Sequence, residues 1–298
     1  MKHIIFYSGG LGSWATFKKV SESVNINDII CLFTDTLIED VYLYKFLLET
    51  IQEAYGVDNS DLIYKLKHIP EISHDSMEDR KSFLIEMSKE SNSRNDNFIW
   101  ISDGRDPWDV FNDNMYIGNS RLAQCSHELK QDVAKKYIHE NFNHDECILY
   151  LGIDWTEENR TKAPTKNWHP YKVRFPLCQE PYVNKVDIVK KLEELNIDMP
   201  RLYNKGYFHN NCLGFCVRAG QGHFIHLLRT NRNLYLYHEE KELELIDKIG
   251  KDVSILQRTR NKKRERVTMR QLREEYERKD TRHIDMNDIG GCGCFVDD

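Results

Sequence analysis

Within its first thirteen residues the chain passes from an apolar run, Ile4-Ile5-Phe6-Tyr7, through Ser8-Gly9-Gly10-Leu11-Gly12-Ser13 into a helical pattern carried by Trp14, Ala15, Phe17 and Val20. That order predicts a buried strand, a glycine turn with hydroxyls at both ends, and a helix. Such a turn directs backbone N–H groups inward with the positive end of the helix dipole behind them, which makes an anion site. Glycine at three of five positions lets backbone approach a phosphate without obstruction from Cβ. The loop lacks the Gly-Lys-Ser/Thr ending of a Walker A motif, so its chemistry is of another kind. Ser8, Gly9, Gly10, Gly12 and Ser13 are the candidate phosphate-binding residues.

The next segments predict the sheet that such a turn belongs to. Residues 28–35 form a second buried strand running into Thr34-Asp35-Thr36, and an amphipathic helix is expected over 39–55, with Leu43, Phe46, Leu47 and Ile51 on one side. A third strand is expected over 62–69, a surface helix over 76–89 and an apolar segment over 98–102. A further helix opens near Gly118 and carries Cys125, and residues 147–153 read as a clean strand leading into Asp154. Alternating strands and helices with continuous apolar strands point to a parallel sheet covered on both faces. Ligands of such sheets sit beyond the carboxyl ends of the strands, where the 8–13 loop, Thr34-Asp35-Thr36 and the 154–160 segment would lie.

Past about residue 170 the texture changes. Helices are expected over 185–195, 222–229 and 237–249, with partial helix around 269–276, among turn-rich stretches and cysteines. The expected organisation is a nucleotide-binding half over 1–170 and a mainly helical, cysteine-bearing part over 171–298. A net charge of −6 argues against a nucleic-acid-binding surface over the whole molecule, leaving a local patch as the alternative. No apolar stretch approaches a membrane span, and the chain starts on a strand rather than a signal peptide. Eight cysteines without a secretion signal suit a reducing compartment, where thiols serve metal or thiol chemistry more than disulfides. The expected setting is cytosolic.

The 8–13 spacing resembles the Ser-Gly-Gly-x-x-Ser loop of the PP-loop ATP pyrophosphatases. Thr34-Asp35-Thr36, Cys125 with Lys130, Gly152-Ile153-Asp154 followed by Glu157, Glu158 and Arg160, then Phe175-Pro176-Leu177, Leu202-Tyr203 with Gly206, and Cys212 with Cys216 follow in an order similar to the phosphoadenylylsulfate reductase branch. The similarity extends over almost the whole chain. The Ser-Gly-Gly-x-Gly-Ser-Trp start and Gly-Cys-Gly-Cys-Phe end resemble mostly uncharacterised reductase-like proteins of bacteria and phages. The resemblance implies an adenine-nucleotide α-hydrolase-like (Rossmann-like) sheet, with ATP or a related adenylate in the 8–13 loop and its adenine or ribose near Thr34, Asp35 and Thr36. Two departures matter. Leu11-Gly12 stands where many such loops carry an acidic residue, so Mg²⁺ would have to be held by Asp35, Asp154, Glu157 or Glu158. The tail also lacks the Glu-Cys-Gly-x-His-like ending on which sulfonucleotide reductases depend.

Cys212 and Cys216 form a C-x3-C pair, and Cys292 and Cys294 a C-x-C pair, each with a glycine inside. Together they are the candidate ligands of a four-thiolate centre, either Zn²⁺ or a [4Fe–4S] cluster, and the branch resemblance favours the cluster. Cys125, near Arg121 and Lys130, reads either as an activated thiolate or as a packed core residue. Arg105, Arg121, Arg160 and Lys162 are candidate phosphate partners. His209, His223 and His226 flank the cysteine pair as supporting or surface residues. The basic run over 258–273 reads either as a solvated helix face or as a contact to the phosphates of tRNA or DNA.

These readings converge on an ATP-dependent enzyme that adenylates a substrate oxygen and releases pyrophosphate, with sulfur transfer to a nucleobase or nucleic acid as the expected continuation. Asp35, Asp154, Glu157, Arg160 and Cys125 are its candidate catalytic residues. Two alternatives stand beside it: a sulfonucleotide reductase, and a non-catalytic nucleotide-sensing or nucleic-acid-binding protein.

Overall fold

A computed structural model describes residues 1–260 and 262–291. Five strands, β1 (Lys2–Phe6), β2 (Ile29–Asp35), β3 (Phe98–Ser102), β4 (Cys147–Tyr150) and β5 (Lys172–Arg174), form an all-parallel sheet in the order β3-β2-β1-β4-β5. The continuous apolar strands are explained by burial on both sides. Ile5, Tyr7, Cys31, Phe33, Phe98 and Trp100 face one core, whereas Ile4, Phe6, Ile30, Leu32, Cys147 and Leu149 face another. The side-chain period of two along a strand produces this division.

The helices are α1 (Leu11–Ser21), α2 (Val41–Tyr55), α3 (Ser60–Lys65), α4 (Met77–Asn92), α5 (Pro107–Asp113), α6 (Gln124–Ser126), α7 (Val133–Asn141), α8 (Lys162–Asn167), α9 (Lys185–Glu194), α10 (Arg201–Asn204), α11 (Gln221–Thr230), α12 (Arg232–Ile249) and α13 (Met269–Glu277). Side chains of α1, α2, α3, α4 and α9 cover the first face, and those of α7 together with Trp168 cover the second. A π-helical turn over His127–Asp132 joins α6 to α7.

Two expectations are corrected. Residues 62–69 are not a strand but α3 followed by a 3₁₀ turn over Leu66–His68. Leu62, Leu66 and Ile69 recur at helical spacing, and Leu62 and Leu66 are buried on that face. The third strand is β3 instead. Within the basic run, β6 (Leu256–Arg260) and β7 (Lys263–Val267) form an antiparallel hairpin ahead of α13, rather than one helix face. Packing runs across residue 170. β5 is an edge of the sheet, α9 packs on α1, and Trp108 and Phe111 of α5 share a core with Phe215, Phe224 and Tyr235. Among the described residues no helix is long and apolar enough to cross a membrane.

Candidate functional site

The strand order turns at β1 and β4, so the crevice between their carboxyl ends is where this topology opens a ligand site. The loops after these two strands touch there. A Cβ added to Gly12 would sit 3.0 Å from the carbonyl oxygen of Gly152, and one added to Gly152 would sit 2.9 Å from Gly12. Both glycines are therefore required by close approach of backbone. Gly9 adopts φ +74° with Leu43 behind it, which turns the chain out of the sheet and into α1.

Helix α1 starts without a side-chain cap. Its N-cap is Gly10, and the Ser13 hydroxyl donates back to the Gly10 carbonyl at 2.8 Å rather than accepting from the helix N–H groups. The opening turn contains no acidic residue. Its N–H groups and the dipole of an eleven-residue helix are thus left for an anion.

In front of that turn lies a cleft of about 250 Å³. Ser8, Gly10, Gly12, Ser13 and Thr34 line it, together with Gly152, Ile153, Glu157 and Arg160 from the segment after β4. Arg160 donates to Glu157, so a carboxylate and a guanidinium share this wall. Lys130 reaches the cleft from the π-helical turn, its ammonium 3.2 Å from the buried Glu39. Tyr203, Phe208, His209, Asn210 and Asn211 close the cleft from the C-terminal side. Asn210 is buried and donates from Nδ2 to the Gly9 carbonyl at 3.2 Å, tying this segment to the glycine turn.

His209 stacks on His223 with centroids 5.1 Å apart. Burial, then the neighbouring His223 and Lys130, push its pKa down to about 3, so the ring is neutral. Its Nδ1 accepts from the Asn211 N–H at 3.4 Å, which leaves the proton on Nε2.

The remaining candidates fall elsewhere. Asp35 is fully buried and is not brought to the cleft. Its carboxylate accepts from the Leu37 N–H at 2.8 Å, the Tyr44 hydroxyl at 2.9 Å and the Trp100 indole at 3.0 Å. Burial raises its pKa to about 6. Fully buried and holding three hydrogen-bond donors, Asp35 orders the end of β2 and does not line the cleft. Asp154 accepts from the Thr156 N–H and hydroxyl, capping the following 3₁₀ turn over Trp155–Thr161. Arg105 is held by Asp103, Asp113 and Glu128 at the surface. Arg121 and Lys162 are exposed.

Cys125, Cys212 and Cys216 come from distant parts of the chain, yet all three line a small, mostly apolar pocket of about 30 Å³. Lys130 and Asn211 line both this pocket and the cleft, so the two are neighbours. Cys212 and Leu213 are in the left-handed region, at φ +51° and +50°, followed by Gly214 at +88°. Glu39 holds this unusual turn: its carboxylate accepts from the Cys212 N–H, and the Thr36 hydroxyl donates to it at 3.2 Å. The His223 Nε2–H donates to the Gly214 carbonyl at 2.7 Å. Cys292 and Cys294 lie outside the described residues. Among the described residues no group of three or more His, Cys, Asp or Glu side chains is arranged to hold a metal ion.

Sequence reasoning did not pick out Glu39, Asn210 or Asn211. Glu39 follows Thr36 by three positions just before a helix, a pattern that reads as capping. The two asparagines sat in a stretch whose turn-rich composition masked their role.

The described cations of the 258–273 run are largely paired, in the hairpin and in α13. Arg258 meets Glu275 at 2.6 Å, Arg266 meets Asp252 at 2.9 Å, and Arg270 and Arg273 both meet Glu239. Lys262, Lys263 and Arg264 at the turn are exposed. No protein-family model matches the chain, and a search of curated proteins returns no match.

Proposed function

We propose that the cleft binds ATP by its phosphates and that the protein transfers the adenylyl group to a substrate oxygen, releasing pyrophosphate. One observation carries this reading: the uncapped N-terminus of α1, with its glycine turn pressed against Gly152, opens into a cleft that also holds Arg160 and Lys130. Backbone N–H groups fixed before substrate arrives stabilise charge that develops on a transferred phosphoryl group. The guanidinium of Arg160, which donates to Glu157, would bring positive charge to the phosphate oxygens. The resemblance to PP-loop ATP pyrophosphatases of the reductase-like branch, and to their adenine-nucleotide α-hydrolase-like fold, supports the same assignment.

Glu157, the carboxylate among the described residues that lines the cleft, would hold Mg²⁺, which would neutralise phosphate charge; Asp35 does not line it. Cys212 and Cys216 are two of the four thiolates that a zinc or [4Fe–4S] site would use; Cys125 lines the same pocket, but among the described residues no three such side chains are arranged to hold a metal ion. Sulfur transfer to a nucleobase or nucleic acid remains part of the proposal through the adjacency of thiols and cleft.

The test is incubation of the full chain with α-labelled ATP and a panel of acceptors: sulfide, tRNA and single-stranded DNA. Formation of AMP or an adenylylated acceptor with equimolar pyrophosphate is expected. Tight ATP binding with no turnover under any condition would instead support a nucleotide sensor, and sulfite release from adenylyl sulfate would support a reductase.

A further inference from the structure

A cavity of about 620 Å³, larger than the glycine-loop cleft of about 250 Å³, shares no lining residue with it. It lies between the start of α2, the 63–72 segment and the junction of α11 with α12. We propose that it is a second ligand site, for a nucleoside phosphate, either free or as one nucleotide of a single strand.

The charge of its walls points to an anion. Arg80 lines the cavity and is 4% exposed, yet its guanidinium donates only to backbone carbonyls, those of Leu37 at 3.0 Å, Pro70 at 2.7 Å and Glu39 at 2.7 Å. Among the described residues no carboxylate lies within ion-pair distance of it. Arginine keeps its charge, and a buried charge without a counter-ion is costly. Lys67, exposed at the rim, rests its ammonium over the Tyr64 ring at 4.8 Å and likewise has no carboxylate partner among the described residues. The other rim cations, Lys45 and Arg201, are paired with acids.

The rest of the lining suits a flat body attached to that anion. Tyr42 is 40% exposed, and the Arg201 guanidinium lies over one face of its ring at 4.5 Å, so a base can stack on the guanidinium that Tyr42 supports. Ile63, Leu66 and Leu234 supply apolar wall, and the amides of Asn231 and Asn233 supply donors and acceptors for base edges. The volume lies within the range of small-molecule sites. Leu213, whose neighbour Cys212 lines the thiol pocket, forms part of the inner wall, so an occupant would sit one residue from that pocket.

The site does not depend on ATP binding at the glycine loop, and isoleucine-methyl NMR of the full chain separates the two. Ile63, Ile69 and Ile72 line the large cavity, and Ile153 lines the cleft. The probes are cytidine 5′-monophosphate, a short oligothymidylate, inorganic phosphate and dodecanoate. Saturable shifts at Ile63, Ile69 and Ile72 with Ile153 unmoved are expected from the mononucleotide, the oligonucleotide or both, and which of them binds identifies the source. Lys67→Glu and Tyr42→Ala are each expected to weaken binding by about tenfold or more, because one removes the free rim charge and the other the support of the stacking face. The proposal is overturned if the nucleotide probes move none of the three methyls, or if both variants bind as the wild type does. It is also overturned if inorganic phosphate binds as well as the nucleotides, or if dodecanoate alone binds.

Discussion

Gly9 is held at φ +74° with the Leu43 side chain directly behind its α-carbon, where an added Cβ would lie 2.6 Å from Leu43 Cγ. Both the dihedral and the contact oppose any other residue. Gly9→Ala should therefore cost about 1–3 kcal/mol of stability, read as a lowered urea midpoint. His209 ties stability to pH. Burial chiefly, with His223 and Lys130, keeps its folded-state pKa near 3 against an ordinary 6.5. The neutral ring stabilises the fold above pH 6.5, and that contribution is lost as pH falls toward 3. Asp35 acts in the opposite sense: its pKa, raised to about 6 by burial, gives stability at low pH that is lost as pH rises through 6. The urea midpoint of His209→Asn should consequently fall less between pH 6.5 and 4.5 than that of the wild type. An equal fall in the two proteins would show that His209 titrates normally.

At the scale of elements, the β6–β7 hairpin and α13 are fastened by two buried acids of α12. Glu242 accepts from the backbone N–H of Ile255 at 2.9 Å and of Met269 at 2.6 Å, while Glu239 receives Arg270 and Arg273. Glu242→Ala leaves two buried donors without partners and should cost about 2–4 kcal/mol, with hydrogen-exchange protection lost first across β6 and β7. This fastening could not be read from the sequence, because the hairpin is rich in charge and its pattern matches neither a buried strand nor an amphipathic helix. The central strands were legible for the opposite reason: Ile4 to Tyr7 and Ile29 to Phe33 are apolar at every position, as burial on both faces demands. The 62–69 segment misled because β-branched and apolar residues outweighed a helical spacing. Of the site, the glycine turn and the Glu157–Arg160 wall were legible from their place after strands. Asp35 was not, since only the fold shows its carboxylate consumed by Leu37, Tyr44 and Trp100. The meeting of Cys125 with Cys212 and Cys216 is likewise a product of tertiary packing.

Across the whole molecule, the cleft is completed only when the chain past residue 200 returns over the sheet. Tyr203, Phe208, His209, Asn210 and Asn211 face the glycine turn across it, and Asn210 bonds to Gly9. A nucleotide held there should tie both parts together, so ATP is expected to raise the midpoint of thermal unfolding in proportion to its binding. If the uncapped N-terminus of α1 holds the phosphates, as proposed, Gly10→Asp should block it. Gly10 has ordinary N-cap dihedrals, φ −99° and ψ 164°, and an added Cβ would meet the Tyr203 hydroxyl at 3.3 Å and Ser8 Oγ at 3.8 Å, both side-chain atoms. Aspartate there caps the helix and so preserves or raises stability, while it occupies the free N–H groups with a negative charge. Isothermal titration of ATP into the wild type and Gly10→Asp should show binding to the first, and binding weakened by about tenfold or more in the second at an undiminished melting temperature. Equal ATP affinity in the two proteins, or no ATP binding by the wild type, would show that the N-terminus of α1 is not a phosphate site.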